Sequence, residues 1–558
     1  MADAIEDSFT LALAQLNPVV GDIDGNLRKA RAARADAAAS GADLVAFTEL
    51  YLTGYPLEDL VLKPALQEAA RAACEEFAGD TRDGGPAVLL GLPWADWPFV
   101  YNAVAYLDQG HIETVRLKYN LPNYGVFDEK RVFAAGPLPE PIDVRGVSLG
   151  VPICEDIWSE EACAALSKAG AGLLIVPNGS PYWMDKQDLR YAIARSRVAE
   201  TGLPLAYLNQ VGGQDELVFD GASFVLNRDG NLAVQMPGWE EALGVTEWRR
   251  DDDERWRCLP AHLAEIEQRD AANYLACVTG LRDYVKKNGF PSVVLGLSGG
   301  IDSALCVAMA VDALSAKRVH AIMLPYTFTS NESLNDAAQT AEALGVRYDI
   351  MSIHSTVEGL TKSLAVLSDR GNPGVAEENL QSRARGTLLM GLSNKFGPML
   401  ISTGNKSEVS VGYATLYGDM NGGFNPIKDL YKTQVYALAR YRNRERPKGC
   451  LGPKGRVIPE NVLTKAPTAE LKHNQRDQDT LPPYDQLDDI LNCLVELEMP
   501  VREIVARGHA PEVVKKVEHM LYLAEYKRRQ AAPGVKITAK NFGRDRRYPI
   551  INKFRETL

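Results

Sequence analysis

The chain has 558 residues, of which 46% are hydrophobic and 24% charged, and its formal net charge is −12. This length predicts two or three domains, and this composition is typical of a soluble globular protein, which excludes an intrinsically disordered chain. The acidic balance excludes general attraction to nucleic acid, and no apolar run approaches the roughly 20 residues that cross a bilayer. Neither nucleic acid nor a membrane is therefore expected as a partner.

The first seven residues contain acids rather than a basic region followed by an apolar stretch, so we expect no secretory signal and a cytoplasmic protein. Eight cysteines with no CxxC pair indicate reduced thiols rather than disulfides or a zinc site. Charge is uneven, because residues 527–558 contain ten Lys or Arg against two acids. This basic tail suggests a local site for an anion.

The first half alternates strand-like apolar runs with helix-like stretches, which predicts an α/β domain over residues 1–250. The predicted strands cover residues 10–15, 43–48, 88–92, 147–153, 173–176, 205–209 and 222–226, and the first helix covers residues 26–40. Residues 247–257 are dense in charge and show no apolar period, as expected of an exposed boundary. We therefore predict a linker at residues 251–272.

A second α/β domain is predicted over residues 273–558, introduced by a helix from about residue 261 to 288. Its predicted strands cover residues 293–297, 320–324, 348–353 and 399–403, with helices at 303–314 and 331–344. Repeated βα units of this kind predict a doubly wound parallel sheet. Residues 441–483 are rich in Pro, Lys, Asn and Asp with little periodicity, so we expect long loops over a site or an interface.

Three residues with complementary chemistry follow predicted strands of the first domain: Glu49, Lys118 and Cys154. A lone cysteine beside a strand is more often a small buried apolar residue, and a lone Glu or Lys a solvated one. Together, however, they supply what a thiol needs to attack an amide: a base for its proton, a cation for the oxyanion and the nucleophile itself.

With this order of residues, the region from about residue 10 to 245 resembles the nitrilase superfamily, whose Glu-Lys-Cys triad hydrolyses amides. The resemblance implies an α-β-β-α sandwich in which Glu49 is the base, Lys118 the oxyanion stabiliser and Cys154 the nucleophile. Residues 120–129, Asn-Leu-Pro-Asn-Tyr-Gly-Val-Phe-Asp-Glu, resemble the glutamine-using branch of that superfamily. The residues that this branch implies for the glutamine pocket are Tyr124, Glu129, Ser180 and Lys186.

The most specific string in the chain is the glycine-containing turn between the strand at 293–297 and the helix at 303–314. Its members are Gly296, Leu297, Ser298, Gly299, Gly300, Ile301, Asp302 and Ser303. Glycines allow close approach to a phosphate, the hydroxyls donate hydrogen bonds, and the following helix directs its N-terminal amides at the same anion. Such a turn is often only structural, but Asp302 is placed where a phosphate-bound Mg²⁺ would need an oxygen ligand.

This turn is neither a Walker loop nor the usual dinucleotide loop, because GxxxxGK[ST] and GxGxxG are absent. It resembles the pyrophosphate loop of ATP pyrophosphatases, which adenylylate an oxygen of their substrate and release pyrophosphate. The resemblance implies ATP as a co-substrate and a reaction type, but it leaves the acceptor open.

Three further segments, at residues 377–385, 402–408 and 425–430, resemble the NAD⁺ synthetase family, as does the basic tail around Lys527. The resemblance implies that Thr403 contacts ATP and that Asp302 and Glu408 share Mg²⁺. The residues that it implies for deamido-NAD⁺ are Asn379, Arg383, Glu408 and Lys527. The family forms symmetric oligomers, often octamers, so a homo-oligomer is expected. The alternative for the arginines and the tail is a solvated charged face.

The two halves together predict an enzyme that takes ammonia from glutamine and uses ATP to convert deamido-NAD⁺ to NAD⁺, releasing AMP, pyrophosphate and glutamate. One rival keeps both chemistries and changes the acceptor. Another treats one half as inactive, which leaves a nucleotide-binding module or an ammonia-dependent enzyme. Substrate screening distinguishes the first rival from the predicted enzyme, and a glutaminase assay distinguishes the second.

Overall fold

The computed structural model describes residues 8–366, 374–473 and 475–557, which form two compact units. The N-terminal unit comprises the described residues up to Gln214 together with Val218–Glu267, and the C-terminal unit comprises Asp215–Leu217 and the described residues from Gln268 onward. Among the residues just given, no helix combines the length and apolarity that a bilayer crossing requires.

The N-terminal unit contains two large mixed sheets. The first has the strand order β15-β14-β1-β2-β3-β4-β5 and the second the order β13-β12-β9-β8-β7-β6, while β10 and β11 form a separate pair. The strands are β1 Ser8–Gln15, β2 Leu44–Ala46, β3 Ala87–Asp96, β4 Phe99–Asp108, β5 His111–Leu117, β6 Ile142–Val144, β7 Val147–Gly150, β8 Leu173–Asn178, β9 Leu205–Asn209, β10 Val211–Gln214, β11 Leu217–Asp220, β12 Phe224–Leu226, β13 Leu232–Gln235, β14 Ala242–Arg250 and β15 Trp256–Cys258.

Apolar side chains divide this unit into layers. Leu11 of β1 and Ile175 of β8 belong to the core between the two sheets. The outer face of the first sheet is covered by α1 and α2, and that of the second by α3 and α4. These helices are α1 Ile23–Ala39, α2 Pro64–Asp80, α3 Glu161–Lys168 and α4 Lys186–Thr201. The predicted α-β-β-α sandwich is therefore confirmed.

The stretch expected to be a linker contains part of the first sheet. Strand β15 lies within residues 251–272 and pairs antiparallel with β14, which itself pairs with β1. Trp248, Trp256 and Cys258 are buried between the sheets, whereas their neighbour Arg257 is exposed. Charged and buried apolar residues thus alternate along β15, as they do in a strand with one buried face. The many charged residues around it made this alternation hard to see in the sequence.

The helix expected from about residue 261 begins instead at Asp270. The preceding residues hydrogen-bond to strand β13, with the Ala261 amide donating to the Ala233 carbonyl at 3.0 Å and the Ala264 amide to the Gln235 carbonyl at 3.0 Å. An extended backbone that bonds to a neighbouring strand cannot also satisfy the hydrogen bonds of a helix.

The C-terminal unit is built on a four-stranded parallel sheet with the order β18-β17-β16-β19. Its strands are β16 Val293–Gly296, β17 Val319–Met323, β18 Arg347–Ile350 and β19 Met399–Ile401. Because the chain proceeds to one side of β16 first and to the other side later, the strand order reverses at β16. The loop after β16 therefore lies at the switch point, and the predicted doubly wound arrangement is confirmed.

Helices flank this sheet and form a separate apolar cluster towards the end of the chain. They are α5 Asp270–Lys287, α6 Ile301–Leu314, α7 Asn331–Leu344, α8 His354–Leu364, α9 Val375–Phe396, α10 Lys406–Val411, α11 Lys432–Arg444, α12 Glu460–Thr464, α13 Tyr484–Val495, α14 Val501–Ala506, α15 Pro511–Leu523 and α16 Glu525–Arg528. The irregular stretch expected at residues 441–483 contains the end of α11, the short α12 and a turn of 3₁₀ helix at Asp477–Asp479.

The placement of β15 in the core gives a stability prediction. Trp256 is 4% exposed and packs edge-to-face on Phe9 with ring centroids 6.3 Å apart. Trp256→Ala is expected to lower the free energy of unfolding of the N-terminal unit by about 3–5 kcal/mol, because it leaves a cavity between the sheets. Urea titration followed by far-UV circular dichroism measures this, with Arg257→Ala as the exposed neighbouring control. Equal losses in the two variants would contradict the assignment of β15.

Candidate active sites

Cys154 lies at a sharp turn that follows β7. The chain leaves the strand at Gly150, and Cys154 begins a 3₁₀ helix, Cys154–Trp158, with a φ of 45°. A non-glycine residue in this left-handed region costs about 1–3 kcal/mol and persists only where the surroundings hold it. The turn therefore fixes the position of the thiol.

Asp156 is the residue that holds this turn. Its Oδ2 accepts a hydrogen bond from the Ile153 amide at 2.9 Å, and its Oδ1 accepts from the amides of Asn120 at 2.7 Å and Tyr119 at 3.1 Å. One buried carboxylate thus joins the cysteine turn to the segment directly after Lys118. This role was not predicted, although Asp156 is two residues from the candidate nucleophile.

Lys118 is fully buried between two carboxylates. Its Nζ donates to Glu49 Oε1 at 2.6 Å and to Glu129 Oε2 at 2.8 Å. The remaining oxygens are also satisfied, because Glu49 Oε2 accepts from the Gly179 amide at 2.9 Å and Glu129 Oε1 from the Tyr55 hydroxyl at 3.0 Å. Such complete pairing is what a buried ion cluster requires.

The loop that holds Glu49 approaches strand β3 at a glycine. A Cβ on Gly91 would lie 2.2 Å from the Thr48 carbonyl oxygen and 2.6 Å from the Leu50 nitrogen. A larger residue at this position would displace the backbone on either side of Glu49. The neighbouring strand β4 contributes Asn102, whose Nδ2 donates to Glu49 Oε1 at 2.8 Å.

The charges in this cluster determine its protonation. Burial alone would lower the pKa of Lys118, but Glu129 and Glu49 outweigh burial and raise that pKa well above its ordinary value. Burial raises the pKa of Glu129 to about 7 against the opposing charge of Lys118. Burial, followed by the charge of Glu49, raises the pKa of Cys154, whereas the charge of Lys118 lowers it by a smaller amount. The resting thiol is therefore protonated, and its attack on an amide requires a base to remove the proton.

The other residues predicted for the glutamine pocket surround this cluster. The Tyr124 hydroxyl donates to Glu155 at 3.0 Å, and Ser180 follows Gly179, whose amide binds Glu49. Lys186 Nζ lies 4.1 Å from the centre of the Trp158 ring. Burial, followed by the charge of Arg190, lowers the pKa of Lys186 to about 7. Tyr124 and Lys186 are both within electrostatic range of Cys154.

The second site is a cavity of about 300 Å³ at the switch point of the parallel sheet. The loop after β16 lines it, as do Thr403 and Glu408. Within this loop the Gly300 amide donates to Ser298 Oγ at 3.2 Å, and the hydroxyls of Ser298 and Ser303 are 3.1 Å apart. The predicted residues that line the cavity are Gly296, Leu297, Ser298, Gly300, Ile301, Asp302, Ser303, Thr403 and Glu408.

Lys432, which was not predicted as a site residue, lies between the two carboxylates predicted to bind metal. Its Nζ donates to Asp302 Oδ2 at 2.5 Å and to Glu408 Oε1 at 3.1 Å. Asp302 Oδ1 accepts from Asn405 Nδ2 at 2.9 Å. Burial raises the pKa of Glu408 to about 8. The positive charge of Lys432 opposes this rise, and the negative charge of Asp302 adds to it. The only hint in the sequence was the position of Lys432, shortly after the segment at 425–430.

The described residues contain no group of three or more His, Cys, Asp or Glu side chains suited to a metal ion. Mg²⁺ in phosphate-transfer sites is commonly held by one or two carboxylates together with substrate phosphates and water. Asp302 and Glu408 both line the cavity beside the glycine loop, so these two oxygen donors fit that mode of binding once the Lys432 ammonium that joins them is displaced.

Three residues predicted for deamido-NAD⁺ are not among those that line the cavity. Lys527 Nζ donates to the carbonyls of Gly412 and Ala414, both at 2.7 Å. Arg383 Nε donates to the Leu416 carbonyl at 3.2 Å, and Asn379 Oδ1 accepts from the Thr415 hydroxyl at 2.8 Å. Asn379, Arg383 and Lys527 therefore hold the segment 412–416, which lines the cavity at Tyr413 and Ala414.

Two family models match the chain: Carbon-nitrogen hydrolase over residues 10–257 and NAD synthase over residues 274–531. The first match covers the Glu-Lys-Cys cluster, and the second covers the glycine loop and every residue that lines the cavity except Ala532. Fold and family matches together define a carbon-nitrogen hydrolase joined in one chain to an NAD synthase.

The chain is similar along its whole length to known enzymes. It is 50% identical over 554 residues to a glutamine-dependent NAD(+) synthetase of Rhodobacter capsulatus, covering 99% of both chains. It is 44% identical to the enzyme of that name from Acinetobacter baylyi, covering 98% of this chain and 99% of the relative. A solved structure of glutamine-dependent NAD⁺ synthetase from Acinetobacter baumannii in complex with adenosine diphosphate superposes with a TM-score of 0.78 at 44% identity, covering 98% of this chain and 99% of that one. The chain belongs to the glutamine-dependent NAD⁺ synthetase family, and the predicted resemblance is confirmed.

The buried position of Lys118 gives a second prediction. Lys118→Met leaves Glu49 and Glu129 buried without their cation, so we expect the free energy of unfolding of the N-terminal unit to fall by about 3–5 kcal/mol. Release of glutamate from glutamine is expected to be lost at the same time. Urea titration and a glutamate assay measure the two effects, with Lys168→Met, an exposed lysine of α3, as the control. A stable Lys118→Met variant that still releases glutamate would contradict this reading of the cluster.

Proposed function

We propose that this enzyme amidates deamido-NAD⁺ to NAD⁺, using ATP and ammonia from glutamine, and releases AMP, pyrophosphate and glutamate. The observation that carries the proposal is that one chain contains both a buried Glu-Lys-Cys cluster and a pyrophosphate-type loop that lines a cavity. Full-length identity of 50% to a glutamine-dependent NAD(+) synthetase supports deamido-NAD⁺ as the acceptor.

In the N-terminal unit, Cys154 is the nucleophile. Its thiol proton passes to Glu49 as the sulfur attacks the side-chain amide carbon of glutamine, and the Lys118 ammonium stabilises the oxyanion that forms. The C–N bond then breaks, and ammonia leaves with the proton that Glu49 returns. Water, deprotonated by Glu49, hydrolyses the thioester to glutamate and restores the thiol. Glu129 holds Lys118 from its other side.

The remaining pocket residues bind the substrate in this proposal. Lys186 provides a cation for the α-carboxylate of glutamine, and Tyr124 and Ser180 bind its polar groups. The pKa of about 7 makes Lys186 a cation whose charge changes in the neutral range, as does that of Glu129, whose pKa burial raises to about 7.

In the C-terminal unit, a carboxylate oxygen of deamido-NAD⁺ attacks the α-phosphorus of ATP, and pyrophosphate leaves. The loop amides, Ser298, Ser303 and the N-terminus of α6 bind the departing phosphates. Ammonia then attacks the acyl carbon, the bond to AMP breaks, and NAD⁺ forms. Asp302 and Glu408 would hold Mg²⁺, which when bound supplies positive charge to the pyrophosphate. Thr403 lies at the cavity wall for contact with ATP.

The roles proposed for Asn379, Arg383, Glu408 and Lys527 towards deamido-NAD⁺ follow from the family resemblance. Glu408 lines the cavity, and the other three act at its border through segment 412–416. The proposal also places the enzyme in the cytoplasm, where ATP and glutamine are available, and as a homo-oligomer, the state that the resemblance implies.

The variant Cys154→Ala distinguishes glutamine hydrolysis from ATP-dependent amidation. The variant is expected to lose glutamine-driven formation of NAD⁺ by at least about 10³-fold, because the proposed thioester forms on the Cys154 sulfur. It should keep turnover with ammonium, because the synthetase cavity is unchanged. NAD⁺ is measured in the presence of deamido-NAD⁺, ATP and Mg²⁺ with each nitrogen source, and Cys163→Ala, a buried cysteine of α3, is the control. Retained glutamine-driven turnover in Cys154→Ala would exclude Cys154 as the nucleophile.

The pKa of Lys186 predicts a pH dependence. Lys186 is protonated below about pH 7 and loses its charge above it, so the KM for glutamine should rise with pH, by roughly tenfold between pH 6 and 9. Lys186→Arg stays charged over this range, and its KM should remain nearly constant. Initial rates of glutamate release at saturating deamido-NAD⁺ and ATP measure both profiles. The same rise in parent and variant would assign the dependence to another group.

A further inference from the structure

Helix α7 begins at a point where the glycine loop meets another part of the cavity wall. Gly299 has a φ of +79°, and a Cβ on it would lie 2.2 Å from the backbone oxygen of Ser333. The backbone of the glycine loop thus packs directly on the first turn of α7. Ser333 is 4% exposed and itself lines the cavity.

The segment 465–471 forms the part of the wall that adjoins α7. All seven of its residues line the cavity, although none of them belongs to a helix or a strand. It is fixed at its two ends, because Lys465 Nζ donates to Asp336 Oδ2 of α7 at 2.7 Å and the Leu471 carbonyl accepts from Gln381 Nε2 of α9 at 2.9 Å. An irregular segment depends on such side-chain contacts for its position.

Glu470 makes a second connection between this segment and the start of α7. Its Oε1 accepts from Ser330 Oγ at 2.7 Å and from Ser333 Oγ at 2.8 Å. Ser330 caps the 14-residue helix α7, whose N-terminus favours a carboxylate. Glu470 has a φ of 50°, a left-handed conformation that is strained for a residue with a side chain. The two hydroxyl contacts offset this strain.

We propose that Glu470 is a positioning residue that holds segment 465–471 against α7 and thereby keeps water out of the synthetase cavity. The proposal rests on the proposed function, because its consequence concerns the adenylate of deamido-NAD⁺. If the segment opens, water attacks the acyl carbon in place of ammonia. The bond to AMP breaks, deamido-NAD⁺ is regenerated, and one ATP is consumed without formation of NAD⁺.

The ratio of AMP released to NAD⁺ formed therefore reports the closure of the segment. Glu470→Ala removes both hydroxyl contacts, and we expect this ratio to rise at least about fivefold. Glu470→Gln keeps an oxygen that accepts from Ser330 and Ser333, so its ratio should stay within about twofold of the parent. Glu342→Ala makes the same change at an exposed position near the other end of α7 and serves as the matched control.

The experiment uses the full chain with ammonium as the nitrogen source, so that the glutaminase reaction does not contribute. AMP and NAD⁺ are quantified by chromatography at saturating ATP, and the KM for deamido-NAD⁺ is measured in parallel. A merely structural role would lower the rate and leave the ratio at the parent value. If Glu470→Ala does not fold, Ser333→Ala removes one of the two donors on α7 and should raise the ratio in the same direction.

Two negative results are distinguishable. A parent enzyme that forms no NAD⁺ would contradict the proposed function itself. A parent that forms NAD⁺, with Glu470→Ala or Ser333→Ala folded and at the parent's ratio of AMP to NAD⁺, would overturn the role of Glu470 alone. A raised ratio in Glu470→Gln equal to that of Glu470→Ala would also overturn it, because the hydroxyl contacts would then not be the cause.

Discussion

Each unit buries a lysine between two carboxylates, and the geometry of each site depends on that arrangement. Lys118 lies between Glu49 and Glu129, and Lys432 lies between Asp302 and Glu408. Removing charges from water costs several kcal/mol per ion, a cost that only close pairing and further hydrogen bonds offset. Each set of partners therefore has to reach one point from distant parts of the chain, and this requirement restricts where the surrounding elements can lie.

The two units meet this requirement with different elements. In the N-terminal unit, Glu49 and Lys118 follow β2 and β5 of one sheet, and Asp156 ties the Cys154 turn of the other sheet to the residues after Lys118. In the C-terminal unit, Asp302, Glu408 and Lys432 belong to the first turns of α6, α10 and α11. Helix N-termini favour the two carboxylates, and the lysine compensates their mutual repulsion. The same first turn of α6 that presents Asp302 also directs its amides at the cavity.

Much of this could be predicted from the sequence, because both sites are marked by residues close together or in a fixed order. The strand before Cys154 and the strand before the glycine turn lie where they were predicted, and the glycine turn lines a cavity. The assignment of roles within these sites stays a prediction. Lys432 was not predicted, since its partners are 130 and 24 residues away and no local pattern connects them.

Other features depend on tertiary contacts that no local pattern contains. Strand β15 was hidden among charged residues, because only the opposite sheet decides that Trp256 is buried. Lys527 belongs to a basic run that has the pattern of a solvated face or an anion site, yet it binds the carbonyls of Gly412 and Ala414.

The most direct test of the proposed reaction is transfer of ¹⁸O from the nicotinate carboxylate of labelled deamido-NAD⁺ during turnover with glutamine and ATP. Attack of the carboxylate on the α-phosphorus of ATP leaves one labelled oxygen in the phosphate of AMP, detected by mass spectrometry, and label in pyrophosphate or inorganic phosphate instead would contradict this mechanism.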